Sequence, residues 1–587
     1  MIYCKDDLIF ETDSEYDVRI SSLENTKNNA VIKISIDFCG KQSPQPTTIK
    51  WTTKGGEIYT RWNCMGEQNR RLYPNWEKSC NKSRSASGMP LQCYLGKDGK
   101  NKITVAVSDV KTPIHIKSGF IEENSQISWE LVLFSQKIGE ISEYSTELMI
   151  NTESVSYQES IEKVCKWWEG FGYSYNYEPE EAFNPVYSTW YSYHQNVTPD
   201  TLLEELKSAS RLGMKTVIVD DGWQTDDNSR GYAYCGEWRL AQSKIPDMKL
   251  FADRVHQLGM KVMLWFSVPY VGIYSKVFER FRDKLLDPDS NEHFVLDPRY
   301  PDVREYLARS YEYALTEWNI DGLKLDFIDS FQMTKSSKTF SKGMDTGSVE
   351  DGVCILLDEI YKRLTAIKPD ILIEFRQSYV GPVMLRYGNM IRAFDCPMDP
   401  VTNRVCIINL RMTSGKRAVH SDMIMWDTAE PVESAADKLI NILFSVPQIS
   451  VKINELSKSH YKMLKHYLKF WNENKDVIMK GRLKAEKPEA NYSLVTSEKN
   501  GKMVAAAYTD RVLHIDKIYT KLIFVNGTDK CKLYIENDSD ETNYQYDIYT
   551  CTGELIQSGD IILKKGVNSF SVPVSGLILL KMSDEMF

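Results

Sequence analysis

Apolar and polar positions change rhythm twice along this chain of 587 residues. Up to about residue 160 the pattern is short and alternating. Val31-Ile-Lys-Ile-Ser-Ile-Asp37, Lys102-Ile-Thr-Val-Ala-Val107 and Ile127-Ser-Trp-Glu-Leu-Val-Leu133 alternate or run apolar between Gly, Asn, Asp and Pro turns. No helical period of useful length precedes residue 158, so residues 1–160 are expected to form an N-terminal β-sandwich. Over 161–480 strand-like and helix-like segments then alternate. The strand candidates are 186–193, 216–220, 261–267, 322–327, 371–375, 390–395, 417–423 and 448–453. Helical segments lie between them; Thr198-Pro199-Asp200 opens one and Gly213 closes it, and another ends at Gly259. Eight strands, most followed by a helix, predict a central (β/α)8 TIM barrel, with a doubly wound open sheet as the competing architecture. Residues 481–587 return to strand patterning and predict a C-terminal antiparallel β-sandwich domain.

Composition narrows the function classes. Hydrophobic content of 42% and charged content of 26% describe an ordinary globular chain, and a net charge of −9 without a long basic run gives no reason to expect nucleic acid or an anionic membrane as partner. No stretch approaches the length of a membrane span. The start, Met1-Ile-Tyr-Cys-Lys-Asp-Asp7, lacks a basic segment followed by an apolar core, so no signal peptide and a cytoplasmic location are expected. The 12 cysteines show no paired spacing, which argues against a zinc site or a disulfide framework. Neither a phosphate loop nor a metal-ligand cluster appears, so no metal and no cofactor are expected. Thirteen Trp and 33 Tyr suit stacking on sugar rings, as they also suit β-sandwich cores. Large aromatic-rich β surfaces leave a homo-oligomer open.

The candidate chemistry sits where a barrel keeps it, at the C-terminal ends of the strands. In Asp321-Gly-Leu-Lys-Leu-Asp-Phe-Ile-Asp329 the strand period puts Lys324 and Asp326 on the face that normally packs apolar. Two readings follow: a buried Lys324–Asp326 ion pair, or a carboxylate aimed out of the strand end. The other strand ends carry Trp190, the Asp220-Asp221 pair and Trp223, Trp265, Glu374 and Arg376, Asp395, and finally His420, Asp422 and Trp426. Acids and tryptophans on most rims are hard to explain as packing, and two carboxylates flanked by aromatics point toward glycoside hydrolysis. Each has a plainer reading. Asp395 suits a turn cap, Asp220-Asp221 a cap or a solvated acid as well as bidentate binding of sugar hydroxyls, Trp223 and Trp265 suit the core, and His420 suits a satisfied barrel histidine as well as a ligand contact.

The run Thr216–Trp223, then Ile245–Phe266, Leu296–Tyr306 and Asp321–Phe327, resembles glycoside hydrolase family 36, the α-galactosidase family, over roughly residues 180–455. The flanking β domains agree with that family's layout, an N-terminal supersandwich and a C-terminal β domain, in outline. The resemblance implies a retaining exo-hydrolase of terminal α-galactosyl or closely related residues. Asp326 matches the nucleophile, Asp395 the general acid/base, Asp220 and Asp221 the pair that holds the 4- and 6-hydroxyls, and Lys324 a ligand of ring hydroxyls. In that reading Lys324 would lower the pKa of Asp326, and Asp395 would start protonated beside Phe394 and Pro397. Three departures stand out: Ser267-Val-Pro-Tyr270 after strand 3, Glu374-Phe-Arg-Gln-Ser-Tyr379 on and after strand 5, and Phe394 before the acid/base. They leave open an α-N-acetylgalactosaminidase, a β-L-arabinopyranosidase, a galactosyl transglycosylase or an unusual aglycone, with Glu374 and Arg376 as candidates for reading C2. A non-catalytic carbohydrate-binding protein is the alternative from another class. Both carboxylates are present, which counts against it.

Overall fold

A computed structural model describes residues 2–5, 8–173 and 178–583. Met1, Asp6 and Asp7, part of the chain start read above, lie outside them. The early alternation folds as two six-stranded antiparallel sheets. One runs in the order Ile2–Lys5, Leu8–Thr12, Thr47–Lys54, Gln126–Leu133, Ile114–Ile121, Ser79–Ser83; the other runs Asp17–Asn25, Asn29–Gln42, Ile141–Asn151, Asn101–Val107, Leu91–Leu95, Thr60–Trp62. Alternate residues turn inward from both sheets and share one apolar core. At its centre Trp51 and Trp129, direct partners across two strands, stack with ring centroids 5.9 Å apart. The helix Tyr157–Glu169, capped by Ser156 accepting from the Glu159 amide, leads into the next layer.

That layer is a parallel barrel of eight strands: β1 Val186–Ser188, β2 Thr216–Val219, β3 Lys261–Ser267, β4 Gly322–Asp326, β5 Leu372–Arg376, β6 Met390–Arg392, β7 Ala418–His420 and β8 Gln448–Ile449. They pair in the order β7-β6-β5-β4-β3-β2-β1-β8. Between β7 and β8 the ring closes through the parallel bridge His420–Val446. Several strands are shorter than the apolar runs suggest. After Ser188 the chain turns at once into a four-residue helix, Trp190–Tyr193, and Asp395 lies beyond the end of β6, in a loop. Thr198 precedes the helix Pro199–Arg211 without capping it through its side chain, whereas Asp247 accepts from the Leu250 amide at 2.9 Å.

Barrel registry decides what meets inside. Trp265 of β3 lies beside Lys324 of β4, Lys324 beside Glu374 of β5, Arg376 beside Arg392 of β6, and Arg392 beside His420 of β7. The chain ends in a seven-stranded and a three-stranded sheet around a third apolar core. Their pairings are antiparallel apart from two parallel pairs, Lys502–Ala507 with Lys521–Asn526 and Val512–Ile515 with Leu533–Asn537. No helix among the described residues is long and apolar enough to cross a membrane.

Candidate active site

At the C-terminal end of β4 the Asp326 carboxylate is almost fully enclosed and fully engaged. Arg376 Nε donates to Oδ1 at 2.7 Å, the Tyr379 hydroxyl to Oδ1 at 3.1 Å, the Phe327 amide to Oδ1 at 2.8 Å and Trp265 Nε1 to Oδ2 at 3.1 Å. Phe327 itself takes a left-handed φ of 63° as the chain leaves the strand. A bulky residue there stores strain of about 1–3 kcal/mol, held by the surrounding contacts. Burial works against the charge, but Arg376 first, then Lys324 and Arg392, hold the carboxyl well below the usual range. The Lys324–Asp326 ion pair, one of the two readings of this strand, does not form. Lys324 Nζ donates to Asp220 Oδ2 at 2.6 Å, 104 residues away, and acts on Asp326 only through space. Barrel registry sets Lys324 beside Trp265, so the β2 carboxylate is the one its amine reaches.

Asp395 differs in kind. Its side chain is 57% exposed, and its one direct partner among the described residues is Arg392, whose Nη1 donates at 2.9 Å. Despite dehydration by its surroundings, Arg392, Arg376 and Lys324 lower its pKa. The expectation that it rests protonated beside Phe394 and Pro397 is therefore corrected: three cations face it from β4, β5 and β6. Arg392 does not belong to Asp395 alone. The same nitrogen donates to Asp422, which also accepts from the Cys396 amide at 2.6 Å and the Tyr191 hydroxyl at 3.2 Å. Asp422 has no solvent exposure, and burial, opposed by Arg392, pushes its carboxyl up to about 7.

At the end of β2, Asp220 and Asp221 are both buried. Asp221 accepts from Gln195 Nε2 at 2.6 Å and Gln224 Nε2 at 2.5 Å, and burial raises it to about 6. Trp265 is buried, its ring 6.2 Å from that of Tyr232 and nearly parallel to it. Trp190 is half-buried, with the Arg230 guanidinium 5.8 Å from its ring. Arg376, read from the sequence as a C2 contact, is the cation that anchors Asp326.

Three sequence candidates fall behind this surface. Trp223 is fully buried among Trp238, Phe266 and Trp318 and donates to the Trp265 carbonyl at 2.9 Å, so it backs Trp265. Glu374 sits inside the barrel, bonded to Gln448 and 3.5 Å from Arg392. His420 is the satisfied barrel histidine: its ring nitrogens meet the Ala182 carbonyl at 2.8 Å and Gln448 at 3.2 Å, and burial lowers it to about 3. Arg392, Tyr379, Tyr191 and Gln195 were not singled out by the sequence. For Arg392 a signal existed: it shares the inward period with Met390 on β6. The others act from loops and short turns that carry no period.

A barrel whose C-terminal rim carries one locked and one open carboxylate, with flanking aromatics, has the layout of a carbohydrate-active barrel. Residues 179–481, just over half of the chain, match the Melibiase family model. The chain belongs to that family, and the resemblance to glycoside hydrolase family 36 stands. Among curated relatives, an α-galactosidase of Escherichia coli is 27% identical over 159 residues, 25% of this chain and 22% of that protein. An A type blood α-D-galactosamine galactosaminidase of Flavonifractor plautii is 25% identical over 178 residues, 26% of this chain and 15% of that protein. The matched segments thus span less than a quarter of those relatives' own length. The crystal structure of the family 36 α-galactosidase AgaA of Geobacillus stearothermophilus superposes with a TM-score of 0.65 at 13% identity, covering 99% of this chain and 84% of that one, which establishes the shared fold.

Proposed function

We propose that the protein is a retaining exo-glycoside hydrolase that removes terminal α-D-galactosyl residues through a covalent glycosyl-enzyme intermediate. The observation that carries this reading is the contrast between the two carboxylates. Asp326 is ionised and fixed by four donors, as a nucleophile attacking C1 requires. Asp395 is open to solvent and held by a single shared arginine, as a group that must gain and lose a proton requires. In the first step Asp326 bonds to C1 while Asp395 gives its proton to the departing oxygen. In the second, Asp395 takes a proton from water, which displaces Asp326 and keeps the anomeric configuration. Substrate sealing the site would dehydrate Asp395 and raise its pKa, while Asp422 takes up part of the Arg392 charge. Lys324 and Asp220, with Asp221, form the charged floor on which the sugar hydroxyls rest.

A second reading is a galactose altered at C2. It is supported by the segment Glu374–Tyr379, which departs from the family pattern and places Arg376 and Tyr379 against Asp326, and by the galactosaminidase among the relatives. Initial rates on nitrophenyl α-galactoside, α-N-acetylgalactosaminide, β-L-arabinopyranoside and α-glucoside, with the product anomer followed by NMR, test both. Turnover of the galactoside with retained configuration is expected. Turnover only of the C2-altered sugar selects the second reading, an inverted product refutes the mechanism, and binding without turnover of any glycoside makes the protein a lectin-like barrel.

A further inference from the structure

One turn of the N-terminal sandwich reaches the catalytic end of the barrel. It follows the strand Ser79–Ser83 and closes through two backbone hydrogen bonds between Arg84 and Ser87, at 2.9 and 3.1 Å. Arg84 is buried. Its Nη1 donates to the Phe331 carbonyl at 2.7 Å and its Nη2 to the Asp329 carbonyl. Both carbonyls belong to the turn that begins at Phe327, the left-handed residue whose amide donates to Asp326. The same sandwich turn also holds the segment after β5. The Gly88 amide donates to the Ser378 carbonyl at 2.8 Å, and the Ser87 hydroxyl donates to the Ser378 hydroxyl at 3.1 Å. The Ser378 hydroxyl in turn donates to Asp329 Oδ2 at 2.8 Å, which ties the two barrel segments together. Gly381 permits the close approach, since a Cβ there would lie 2.6 Å from the Gly88 carbonyl oxygen. Ser378 immediately precedes Tyr379, whose hydroxyl donates to Asp326.

We infer that Arg84 of the N-terminal sandwich is a positioning residue for the nucleophile. It fixes the segments after β4 and β5, and with them the Phe327 amide and the Tyr379 hydroxyl that hold Asp326. The inference rests on the proposed role of Asp326. A buried guanidinium is costly, and well-packed apolar side chains often stabilise such a space as well or better. Here the charge meets two carbonyls and Glu350, which is buried and 4.0 Å away. What the arginine adds is direction. Its planar fork sets two carbonyls at a fixed distance from one another, which a flexible or apolar side chain does not do. A left-handed backbone at a bulky residue persists only where its surroundings over-determine it. Arg84 supplies that constraint two and four residues beyond Phe327. Through Asp329 and Ser378 the constraint passes to Tyr379. Without it both donors are free to drift from the carboxylate, and a shift of about 1 Å at a reacting group can cost about 10²-fold in rate.

The experiment is steady-state kinetics on the full chain with nitrophenyl α-galactoside, comparing the parent with Arg84→Met, Arg84→Lys and Ser378→Ala below their melting transitions. Arg84→Met removes the fork, and it is expected to lower kcat about 10²-fold with KM little changed. Arg84→Lys keeps a charge that can reach one carbonyl and should recover part of kcat. Ser378→Ala cuts the tie between the two segments at a half-buried position and should lower kcat in the same sense, by less. It carries the test where Arg84→Met does not fold. A folded Arg84→Met with the parent's kcat, or Ser378→Ala with the parent's kcat where Arg84→Met does not fold, overturns the inference. Arg84 is then a structural staple and the proposed function stands. A loss confined to KM overturns it too, because it places the effect in substrate binding. A parent without turnover, or Asp326→Ala as active as the parent, overturns the reading of Asp326 and this inference with it.

Discussion

The ends of β4 and β6 put the same residue type to opposite use. Asp326 is nearly sealed, takes hydrogen bonds on both oxygens and follows the strand without a break. Asp395 stands in a loop beyond the last paired residue of β6, more than half exposed, and shares its arginine with a buried second acid. A carboxylate that must stay charged profits from being locked by donors. One that must exchange protons profits from water and from a neighbour whose charge can change. The difference teaches that position along a barrel strand, within three or four residues, sets which role an aspartate can fill.

The widest break in this comparison is Asp326→Ala. It should lower kcat by 10⁴-fold or more with the circular dichroism spectrum retained, and parent-like hydrolysis of an aryl galactoside would refute the nucleophile. Asp395→Ala should cost about 10²–10⁴-fold on substrates with poor leaving groups and far less on activated aryl galactosides. Equal losses on both would show a positioning role. Next, Arg376→Met sharpens the contrast from the β4 side. Arg376 is the strongest of the cations holding Asp326 below its ordinary range, so its removal raises that pKa, and the acid limb of the kcat/KM profile should move to higher pH. Asp422→Asn works from the β6 side and in the opposite sense. It frees Arg392 from Asp422 and removes a group that is an anion above about pH 7, which lowers the pKa of Asp395 there, so the basic limb should move to lower pH. A profile that does not move in either variant would separate these side chains from the acid and base. Smallest, Trp223→Phe removes one hydrogen bond behind Trp265. It should lower stability by about 1 kcal/mol in denaturant unfolding and leave KM alone, whereas Trp265→Phe removes a donor to Asp326 and should lower kcat.

The barrel was legible because its determinants are local. Strand and helix periods, Pro199 at a helix start and glycines at helix ends each act within a few residues, and together they leave few architectures open. The strand period likewise turned Lys324 and Asp326 inward, and acids at successive strand ends marked the rim. Boundaries were less legible. The predicted strands run past Ser188, His420 and Ile449, where the backbone turns away, because closing the ring and packing the loops outweigh strand propensity there.

Which charge meets which was decided only by tertiary structure. Lys324 reaches Asp220 across 104 residues, Arg376 reaches Asp326 across 50, and Arg392 bridges Asp395 and Asp422 from between them. Trp223 and Trp265 read alike along the chain and both are buried, yet Trp265 donates to Asp326 while Trp223 donates to the Trp265 carbonyl behind it. Sequence alone determined that acids, cations and aromatics crowd one rim of a barrel. The pairing of those charges, and so their protonation, depends on distances of a few ångströms and on the exclusion of water. Both are set by shear, strand registry and loops from all parts of the chain, which no local period records.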